Sequence, residues 1–295
     1  MSLSSNDLQS LHDLAVEAAK RAGVHIQSRV DNHSGAIAKD AGDTPASQIV
    51  TEVDHESQDL ILESLADSIQ EFDLGLLTEE SEDNSSRHEK DAFWCIDPID
   101  GTLPFSEGVP GYSVSIALLA RDGTPLIGVI HDPVDNTTFH ALRGGGAFQD
   151  SHPIRCPEEP TGTHLVWCMD RSMKQAPNFP ETKQAVEQLA EDLGLEGIWT
   201  FDQAGSVLNA CLITRFAPSI YFKFPKASKG GGSVWDFSAT ACLMEEWGQP
   251  ATDIHGDPLQ LNPDGCTFMN ERAVVYASSL DLKKSIYRLI QELQN

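Results

Sequence analysis

Positively charged side chains are scarce in this sequence of 295 residues. Lysine and arginine together number 20, against 45 aspartates and glutamates, so the formal net charge is −25. A field this negative repels the phosphates of DNA and RNA, which argues against a nucleic-acid-binding protein. The same field attracts divalent cations, although much of the charge is of the kind that keeps an ordinary surface soluble.

The sequence also lacks long apolar runs and paired cysteines. No stretch approaches the roughly 20 apolar residues of a membrane-spanning helix, so we expect no membrane protein. The N-terminus has no basic segment followed by an apolar core, so we expect no secretory signal peptide. The six cysteines form no C-x-x-C pair and none pairs with histidine at zinc spacing. We therefore expect reduced, mostly buried thiols and a cytoplasmic protein.

Hydrophobic periodicity divides the chain into two parts. Over residues 6–29, and again after Val53, apolar side chains recur every three or four residues, which predicts two amphipathic helices. The polar segment 31–50 between them predicts a loop or a loose hairpin. Strand-like runs then follow one another between residues 74 and 142, and the tract R-G-G-G at 143–146 closes this part.

Beyond residue 150 strands and helices alternate, a pattern typical of α/β units. One predicted helix covers residues 205–216 and another covers residues 234–247. With 40% hydrophobic residues the chain can fill its cores without crosslinks. We therefore predict an α/β protein with an α+β lobe over residues 1–150 and an α/β lobe over residues 151–295, packed as one body.

The motif D-P-I-D-G-T occupies residues 97–102, directly after the apolar run 92–96. Pro98 has no N–H and a fixed φ, so we predict that it ends the strand ladder and that the turn aims both aspartates at one point. Gly101 permits a close backbone approach, which leaves the N–H groups of Gly101 and Thr102 free to bind an anion. Two carboxylates this close repel each other unless a proton or a cation lies between them, and a hard divalent cation suits oxygen ligands. For the hexapeptide by itself, an ordinary Asp-Gly turn is the alternative.

Further carboxylates lie at the ends of other predicted elements, at Asp54, Glu79, Glu80 and Asp236. Taken singly, Asp54 and Asp236 have an ordinary interpretation as helix caps, and the two glutamates as a solvated turn. Acidic residues at several element ends can, however, converge in one cleft, where α/β folds usually place their sites.

Three segments together resemble the inositol monophosphatase superfamily of Mg²⁺-dependent, lithium-sensitive phosphomonoesterases. They are L-T-E-E-S at 77–81, W-C-I-D-P-I-D-G-T at 94–102 and W-D at 235–236 before a helix. The V-T-x-x-D segment at 50–54 extends the resemblance over nearly the whole chain. The resemblance implies a five-layered α-β-α-β-α sandwich, a small phosphate ester as substrate and a homodimer.

The resemblance also implies a set of metal ligands. Glu79, Asp97 and the carbonyl group of Ile99 would hold one Mg²⁺. Asp97, Asp100 and Asp236 would hold a second, and some arrangements of this kind take a third ion. A cluster of aspartates with one glutamate is the type of ligand set that Mg²⁺ prefers.

Catalytic roles are implied for three of the motif residues. Asp54 would complete the metal cluster through a water molecule. Gly101 and Thr102 would bind the substrate phosphate through their N–H groups, while Thr102 and Glu79 would orient and activate the attacking water. Two cations can neutralise a phosphate ester, lower the pKa of a bound water and stabilise the leaving alkoxide.

The substrate is less well determined by the sequence. The loop A-G-S-V-L-N at 204–209, with Gly205 and Ser206 as candidate substrate ligands, resembles both inositol monophosphatases and 3′(2′),5′-bisphosphate nucleotidases. Nucleotidases tend to carry a lysine where this chain has Asn209, which favours inositol phosphates. Lys223 points the other way, because inositol monophosphatases place a glutamate near that position and nucleotidases a basic residue. The segment T-D-I-H-G at 252–256 also resembles the nucleotidase branch more closely.

We therefore predict hydrolysis of 3′-phosphoadenosine 5′-phosphate to AMP, with inositol 1-phosphate as the alternative substrate. Lys223, Lys226 and Lys229 would meet a second negative group on the substrate, although a solvated lysine loop explains these residues equally well. No feature favours fructose 1,6-bisphosphate. The alternative from another class is a catalytically silent, cation-binding or regulatory protein, but every motif carboxylate and Thr102 are present.

Overall fold

The computed structural model describes residues 3–30, 37–38, 49–158 and 160–294. Within these residues the helices are α1 (Ser5–Arg29), α2 (Glu52–Glu71), α3 (Ser86–Glu89), α4 (Thr102–Ser106), α5 (Phe179–Asp192), α6 (Ser206–Leu212), α7 (Val234–Trp247) and α8 (Leu280–Gln294), with a 3-10 helix at Arg171–Gln175. The strands are β1 (Ile37–Ala38), β2 (Ile49–Val50), β3 (Gly75–Thr78), β4 (Ala92–Asp100), β5 (Ser113–Ala120), β6 (Pro125–Asp132), β7 (Thr137–Leu142), β8 (Gly146–Gln149), β9 (His152–Pro153), β10 (Leu165–Cys168), β11 (Ile198–Phe201), β12 (Ser219–Phe222) and β13 (Val275–Ala277).

The strands form three sheets. Strands β3 to β9 lie in sequence order in a seven-stranded sheet, in which β3 and β4 are parallel and every later pair is antiparallel. A four-stranded sheet has the order β11-β10-β12-β13, with only β13 antiparallel to its neighbour. Strands β1 and β2 pair antiparallel, as in the hairpin predicted for residues 31–50, and the rest of that segment lies outside the described residues.

Helices and sheets alternate in five layers. Helices α1 and α2 cover one face of the seven-stranded sheet, α6 and α7 lie between the two sheets, and α5 and α8 cover the far face of the four-stranded sheet. Side chains alternate along β4 accordingly: Trp94 and Ile96 pack towards α1 and α2, whereas Phe93 and Cys95 pack towards the middle layer. The predicted α-β-α-β-α sandwich is confirmed.

Helix α1 illustrates how the sequence produces a layer. Ser4 begins it, because its Oγ accepts the Asp7 N–H group and the Asp7 carboxylate accepts the Ser4 N–H group in return. Small and aliphatic side chains then recur on the buried face, including Ala15, Ala22 and Ile26. Full burial of a side chain the size of Ile26 contributes roughly 1.5–3 kcal/mol to the stability of the fold.

Strand β4 continues through the proline, so the prediction that Pro98 ends the strand ladder is wrong. Asp97 pairs with Ser115 and Asp100 pairs with Ser113, so that two residues of β4 face one residue of β5. Pro98 cannot donate to the ladder, and the chain accommodates this with a bulge rather than by leaving the sheet. The bulge keeps both aspartates at the end of β4, where Asp100 meets the start of α6.

The predicted boundary between two lobes near residue 150 stays a prediction. Strand β9 at His152–Pro153 extends the seven-stranded sheet beyond that point, and α6 and α7 contact both sheets, α7 through Thr240 and Tyr276. Among the described residues, no helix combines the length and apolar character required to span a bilayer.

Candidate active site

Three aspartates meet where the bulged end of β4 faces the first turn of α7. Side-chain oxygens of Asp97, Asp100 and Asp236 all lie within 4.8 Å of one another. The side chains of Asp97 and Asp100 are buried, whereas that of Asp236 is half-buried. The structure therefore brings together three of the side chains that the sequence predicts as metal ligands.

Backbone N–H groups fix the orientation of each of these carboxylates. Asp97 Oδ1 accepts the Ile99 N–H group at 3.0 Å, which forms a turn within the bulge. Asp100 accepts the N–H groups of Ser206 and Val207 at 3.1 and 3.0 Å, at the start of α6. Such groups have no acceptor within their own helix, so a carboxylate at this position is stabilising. Asp236, in the first turn of α7, accepts the N–H group of Ser233 at 2.6 Å in a capping box.

Burial and mutual repulsion disfavour the charged forms of all three aspartates. Burial raises the pKa of Asp97 well above its usual range, and the charges of Glu79, Asp100 and Asp236 raise it further. Burial and the charge of Asp236 likewise raise the pKa of Asp100. Burial raises the pKa of Asp236 to about 6, although Lys223 opposes that change. A buried cluster of carboxylate oxygens that is destabilised by its own charge fits a hard divalent cation, which would offset the repulsion.

Glu79 approaches this cluster from β3. Its N–H group donates to the Ile96 carbonyl group at 3.1 Å, which fixes the chain just beyond the end of the strand. The Glu79 carboxylate lies within hydrogen-bonding reach of Asp97 and is the largest of the charges that raise the Asp97 pKa. A fourth carboxylate is therefore available to the same cation site.

Thr102 connects the cluster to a buried carboxylate on α2. Thr102 Oγ1 lies 3.2 Å from Asp54 Oδ1 and 3.1 Å from the Ile99 carbonyl oxygen. Asp54 is fully buried, and its Oδ2 accepts the Thr51 N–H group at 2.8 Å. Because both neighbours of the Thr102 hydroxyl are acceptors, its proton points to one of them and its lone pairs stay available to a third group.

The segment around Gly101 fits tightly against its neighbour. Gly101 has φ 86°, and a Cβ there would lie 2.6 Å from the Gly111 carbonyl oxygen, so only glycine is accommodated. Thr102 begins α4 directly behind it. The N–H groups of Gly101 and Thr102 therefore stand beside the carboxylate cluster, where the sequence predicts the phosphate.

The candidate substrate residues form a hydrogen-bonded group on the other side of Asp100. Lys223 Nζ donates to Ser206 Oγ at 2.8 Å and forms an ion pair with Asp170 Oδ2 at 2.7 Å. Tyr221 donates its hydroxyl proton to Asp170 Oδ1 at 2.9 Å. Lys223 is only 8% exposed, so its charge is balanced by Asp170 inside the protein.

The other basic residues and Asn209 have different surroundings. Lys226 is half-buried and Lys229 is exposed. Asn209 is fully buried, and its Nδ2 donates to the carbonyl groups of Met169 and Ala204, which holds α6 against β10. Asn209 therefore supports the loop that carries Ser206.

Sequence reasoning missed Asp170. It stands two residues beyond the end of β10, next to Met169, in the same relation to a buried strand that singled out the other carboxylates. That signal was present and could have added Asp170 to the candidate carboxylates. No local signal identifies Gly111, because its role depends on the backbone segments that lie on either side of it.

Comparison with known proteins agrees with the fold and identifies the family. A sequence model described as the inositol monophosphatase family matches residues 7–295. The histidinol-phosphatase of Chlorobaculum parvum is 30% identical over 259 residues, which cover 87% of this chain and 91% of that protein. The Nus factor SuhB of Salmonella typhimurium is 32% identical over 249 residues, which cover 82% of this chain and 85% of that protein.

Solved structures show the same fold. An inositol monophosphatase from Anabaena superposes with a TM-score of 0.70 at 24% identity, over 97% of each chain. An inositol monophosphatase from Thermotoga maritima superposes with a TM-score of 0.73 at 22% identity, over 96% of this chain and 97% of that one. The protein is therefore a phosphomonoesterase. More narrowly, the chain belongs to the inositol monophosphatase family.

Proposed function

We propose that this phosphatase hydrolyses a small phosphorylated metabolite with Mg²⁺ held by Asp97, Asp100 and Asp236. The observation that carries the proposal is the group of three carboxylates, two of them buried, whose oxygens lie within 4.8 Å of one another. Glu79 and the Ile99 carbonyl group are the further ligands. When bound, Mg²⁺ supplies neutralisation of the phosphate charge and activation of water. The number of ions, two or three, stays a prediction.

The chain's own residues orient the reaction. The N–H groups of Gly101 and Thr102 bind the phosphate oxygens. Thr102 Oγ1 donates a hydrogen bond to Asp54 or to the Ile99 carbonyl group, so that one of its lone pairs accepts a hydrogen bond from the attacking water. Glu79 accepts the other proton of that water and acts as the general base. Asp54 acts through Thr102, because burial and the Thr51 contacts hold its carboxylate against the hydroxyl.

Our first candidate substrate is a 3′(2′),5′-bisphosphate nucleotide, converted from 3′-phosphoadenosine 5′-phosphate to AMP. Lys223 supports this candidate, because its ammonium group contacts Ser206 beside Asp100. The ammonium group is also close enough to Asp236 for its charge to lower the pKa of that carboxyl. A second phosphate that displaces Asp170 from Lys223 would exchange one anion for another at the same ammonium group. Ser206 Oγ is the neighbouring polar atom available to such a phosphate.

Inositol 1-phosphate is the second candidate, and Asp170 is the observation that favours it. The Asp170 carboxylate is held by Lys223 and Tyr221 and keeps 24% of its side-chain surface exposed. A carboxylate in such a position accepts hydrogen bonds from the hydroxyl groups of a polyol. In that case Lys223 is a support for Asp170 and never meets the substrate.

Phosphate release from a panel of esters tests the proposal. We would compare 3′-phosphoadenosine 5′-phosphate, inositol 1-phosphate, fructose 1,6-bisphosphate and histidinol phosphate, with Mg²⁺ and with or without lithium. The last is included because the Chlorobaculum relative is named a histidinol-phosphatase. We expect the highest kcat/KM for the bisphosphate nucleotide. A higher value for inositol 1-phosphate would overturn the nucleotide assignment and leave the reaction class intact.

Substitution of Lys223 separates the two substrates. A charge-assisted contact contributes about 1.5–3 kcal/mol, so Lys223→Gln should raise KM for the bisphosphate roughly 10- to 100-fold. KM for inositol 1-phosphate should change much less. The double variant with Asp170→Asn controls for the carboxylate that loses its partner, and Lys284→Gln on α8 is the matched surface control. Equal effects on both substrates would remove the second-phosphate role.

A regulatory protein without activity is the alternative from another class. Several relatives are named Nus factor SuhB, at 26–32% identity. Absence of phosphate release from every ester in the panel, by folded protein with Mg²⁺, would favour that alternative. Homodimer formation and a cytoplasmic location also stay proposals, and light scattering after size-exclusion chromatography tests the first of them.

A further inference from the structure

Three loops meet beside the carboxylate cluster, and together they form the rim of the candidate site. The first rim loop, residues 107–111, follows α4. The second is the 3-10 helix Arg171–Gln175, which follows Asp170 and has no buried residue. The third, residues 202–206, connects β11 to α6 and ends where the backbone binds Asp100. Each rim loop therefore continues directly from a residue or helix of the site.

Contacts join the third rim loop to each of the other two. The Gly205 N–H group donates to the Gly111 carbonyl oxygen at 2.8 Å. Lys174, on the second rim loop, forms an ion pair with Asp202. The 3-10 helix is therefore held against the loop whose end supplies the backbone ligands of Asp100.

Arg171 joins the second rim loop to the first. Its Nη1 donates to both carboxylate oxygens of Glu107, at 2.8 and 2.7 Å. Glu107 is the C-cap of α4, which begins at Thr102. The rise of an α-helix therefore separates these two residues by roughly 7.5 Å along the axis. The guanidinium group is within reach of a small ester whose phosphate is bound at Thr102.

The contact with Glu107 uses only one side of the guanidinium group. Arginine has five N–H donors, and this contact engages the two on Nη1. Among the residues that the structure describes, no acceptor takes the N–H groups of Nε and Nη2 of Arg171. Nε and Nη2 form the planar edge that binds a phosphate or a carboxylate through two parallel hydrogen bonds. The Arg171 side chain is 32% exposed, so a ligand can reach it.

The distribution of charge also favours an anion at this position. The chain has 20 basic residues against 45 acidic ones, yet two of the basic residues lie on the second rim loop, at Arg171 and Lys174. Lys223 is already paired with Asp170, so a phosphate with up to two negative charges calls for a further cation. Solvent screens the Glu107 carboxylate, which leaves the guanidinium group free to adjust to a ligand.

We propose that Arg171 is a specificity-determining residue, which binds a second anionic group of the phosphate ester through Nε and Nη2 while Glu107 holds Nη1. This inference rests on the proposed function, because it assigns a further ligand to the 5′-phosphate of a 3′(2′),5′-bisphosphate nucleotide. Lys223 and Arg171 share that phosphate. The contact is made to a part of the substrate that does not react, so it lowers KM and leaves kcat unchanged.

Two nucleotides that differ only in the 5′-phosphate test the proposal. We would measure KM and kcat for 3′-phosphoadenosine 5′-phosphate and for 3′-AMP, with Mg²⁺. Arg171→Gln should raise KM for the first about 10- to 100-fold and leave KM for 3′-AMP unchanged. Arg171→Lys keeps the charge without the planar edge and should recover only part of the loss. Arg288→Gln, on the exposed face of α8, makes the same change of charge and is the matched control.

Glu107→Gln distinguishes anion binding from a structural role of the ion pair. The amide keeps an acceptor for Nη1 and removes a negative charge beside the guanidinium group. KM for 3′-phosphoadenosine 5′-phosphate should therefore fall, by roughly two- to fivefold. If Arg171 only tied two rim loops together, Glu107→Gln and Arg171→Gln would both raise KM, for both nucleotides.

The ratio of the two KM values decides the outcome. An Arg171→Gln variant with the wild-type ratio would overturn the proposal, and phosphate release from both nucleotides would leave the proposed function intact. If the folded wild type releases phosphate from neither nucleotide, that substrate assignment fails separately. Calorimetric dissociation constants of the same two nucleotides then replace the KM values. A wild-type preference for the bisphosphate that Arg171→Gln abolishes would support the proposal, and equal preference in both proteins would overturn it.

Discussion

Gly205 lies against the carboxylate of Asp100, and a Cβ at residue 205 would stand 2.2 Å from Asp100 Oδ2. This approach allows the N–H groups of Ser206 and Val207 to reach both oxygens of the aspartate. The Gly205 backbone has φ −64° and ψ 174°, a conformation that any residue adopts. Glycine is therefore required here by the proximity of Asp100 and not by its backbone angles.

Gly205→Ala is expected to impair the site more than the fold. The methyl group must displace the Asp100 carboxylate, because the backbone itself has no reason to move. Overpacking of this kind costs about 1–3 kcal/mol of stability. We expect kcat/KM to fall at least about tenfold and the Mg²⁺ concentration required for half-maximal activity to rise. Steady-state kinetics over a Mg²⁺ series measures both.

Gly162→Ala is the matched control for that substitution, because a Cβ at Gly162 would meet no atom within 4 Å. It should leave activity and Mg²⁺ dependence unchanged. If Gly205→Ala retains the wild-type Mg²⁺ dependence, the contact with Asp100 does not position a metal ligand.

Asp97→Asn should lower activity and raise the stability of the Mg²⁺-free protein. Loss of a shared ligand should lower kcat by more than the 10- to 100-fold that loss of an outer contact typically costs. Burial and three neighbouring carboxylates disfavour the charged form of Asp97, so its neutral replacement should raise Tm of the Mg²⁺-free protein. Differential scanning calorimetry with and without Mg²⁺, alongside phosphate release, measures the two effects.

The exposed Asp67 on α2 provides the control for Asp97→Asn. Asp67→Asn removes the same charge from the whole molecule and should change neither kcat nor the Mg²⁺-dependent rise in Tm. An Asp97→Asn variant with substantial activity would remove Asp97 from the metal site.

Substitution of Thr102 tests whether its hydroxyl orients the attacking water. Thr102→Val keeps the shape of the side chain and removes the hydroxyl, so kcat should fall by roughly 10²- to 10⁴-fold, the range for proton-transfer groups. KM and Mg²⁺ affinity should change little, because the backbone N–H group remains. Thr102→Ser restores the hydroxyl between Asp54 and the Ile99 carbonyl group and should recover most of the rate. A Thr102→Val variant with the wild-type kcat would exclude the role.

Sequence patterns predicted most of the fold because they repeat over many residues. The periodicity of residues 6–29 places α1 within one residue of its observed start, and the predicted alternation of strands and α-helices is observed from β10 onward. Strands β8 and β9 were missed, since they are four and two residues long and follow a glycine tract. Helix α6 ends at Leu212, short of the predicted residue 216. Short edge strands and helix ends depend on tertiary contacts that local sequence does not encode.

The candidate site was predictable in its residue types and less so in its connections. Asp97, Asp100 and Asp236 could be selected because each stands at the end of an apolar element. The ion pair between Lys223 and Asp170 could not be predicted, because it joins the ends of β12 and β10 through the order of the four-stranded sheet. Local sequence likewise gives no reason to pair Glu107 with Arg171, which are 64 residues apart.

Lys283 on α8 provides a prediction about pH. It is 3% exposed, and its Nζ donates to the Pro250 carbonyl oxygen at 2.5 Å. Burial lowers its pKa to about 8, compared with about 10.4 for an unfolded chain. Between these values the unfolded state binds more protons than the folded state, so this residue makes stability rise with pH through that window.

Replacement of Lys283 by Met should remove this pH dependence. Loss of the donor to Pro250 costs about 1–3 kcal/mol at every pH, so the slope of the difference in unfolding free energy is the quantity to measure. Between pH 8 and 10 we expect the unfolding free energy of the wild type to rise relative to that of Lys283→Met. Urea denaturation at fixed Mg²⁺ measures both values. The raised pKa of buried Cys168 is common to both proteins and cancels in the difference, whereas Cys156 interacts with the charge of Lys283 and is therefore replaced by serine in both. Lys284→Met changes the exposed neighbour, and its difference in unfolding free energy from the wild type should not depend on pH. If the difference for Lys283→Met is equally independent of pH, Lys283 is neither desolvated nor titrating in this window.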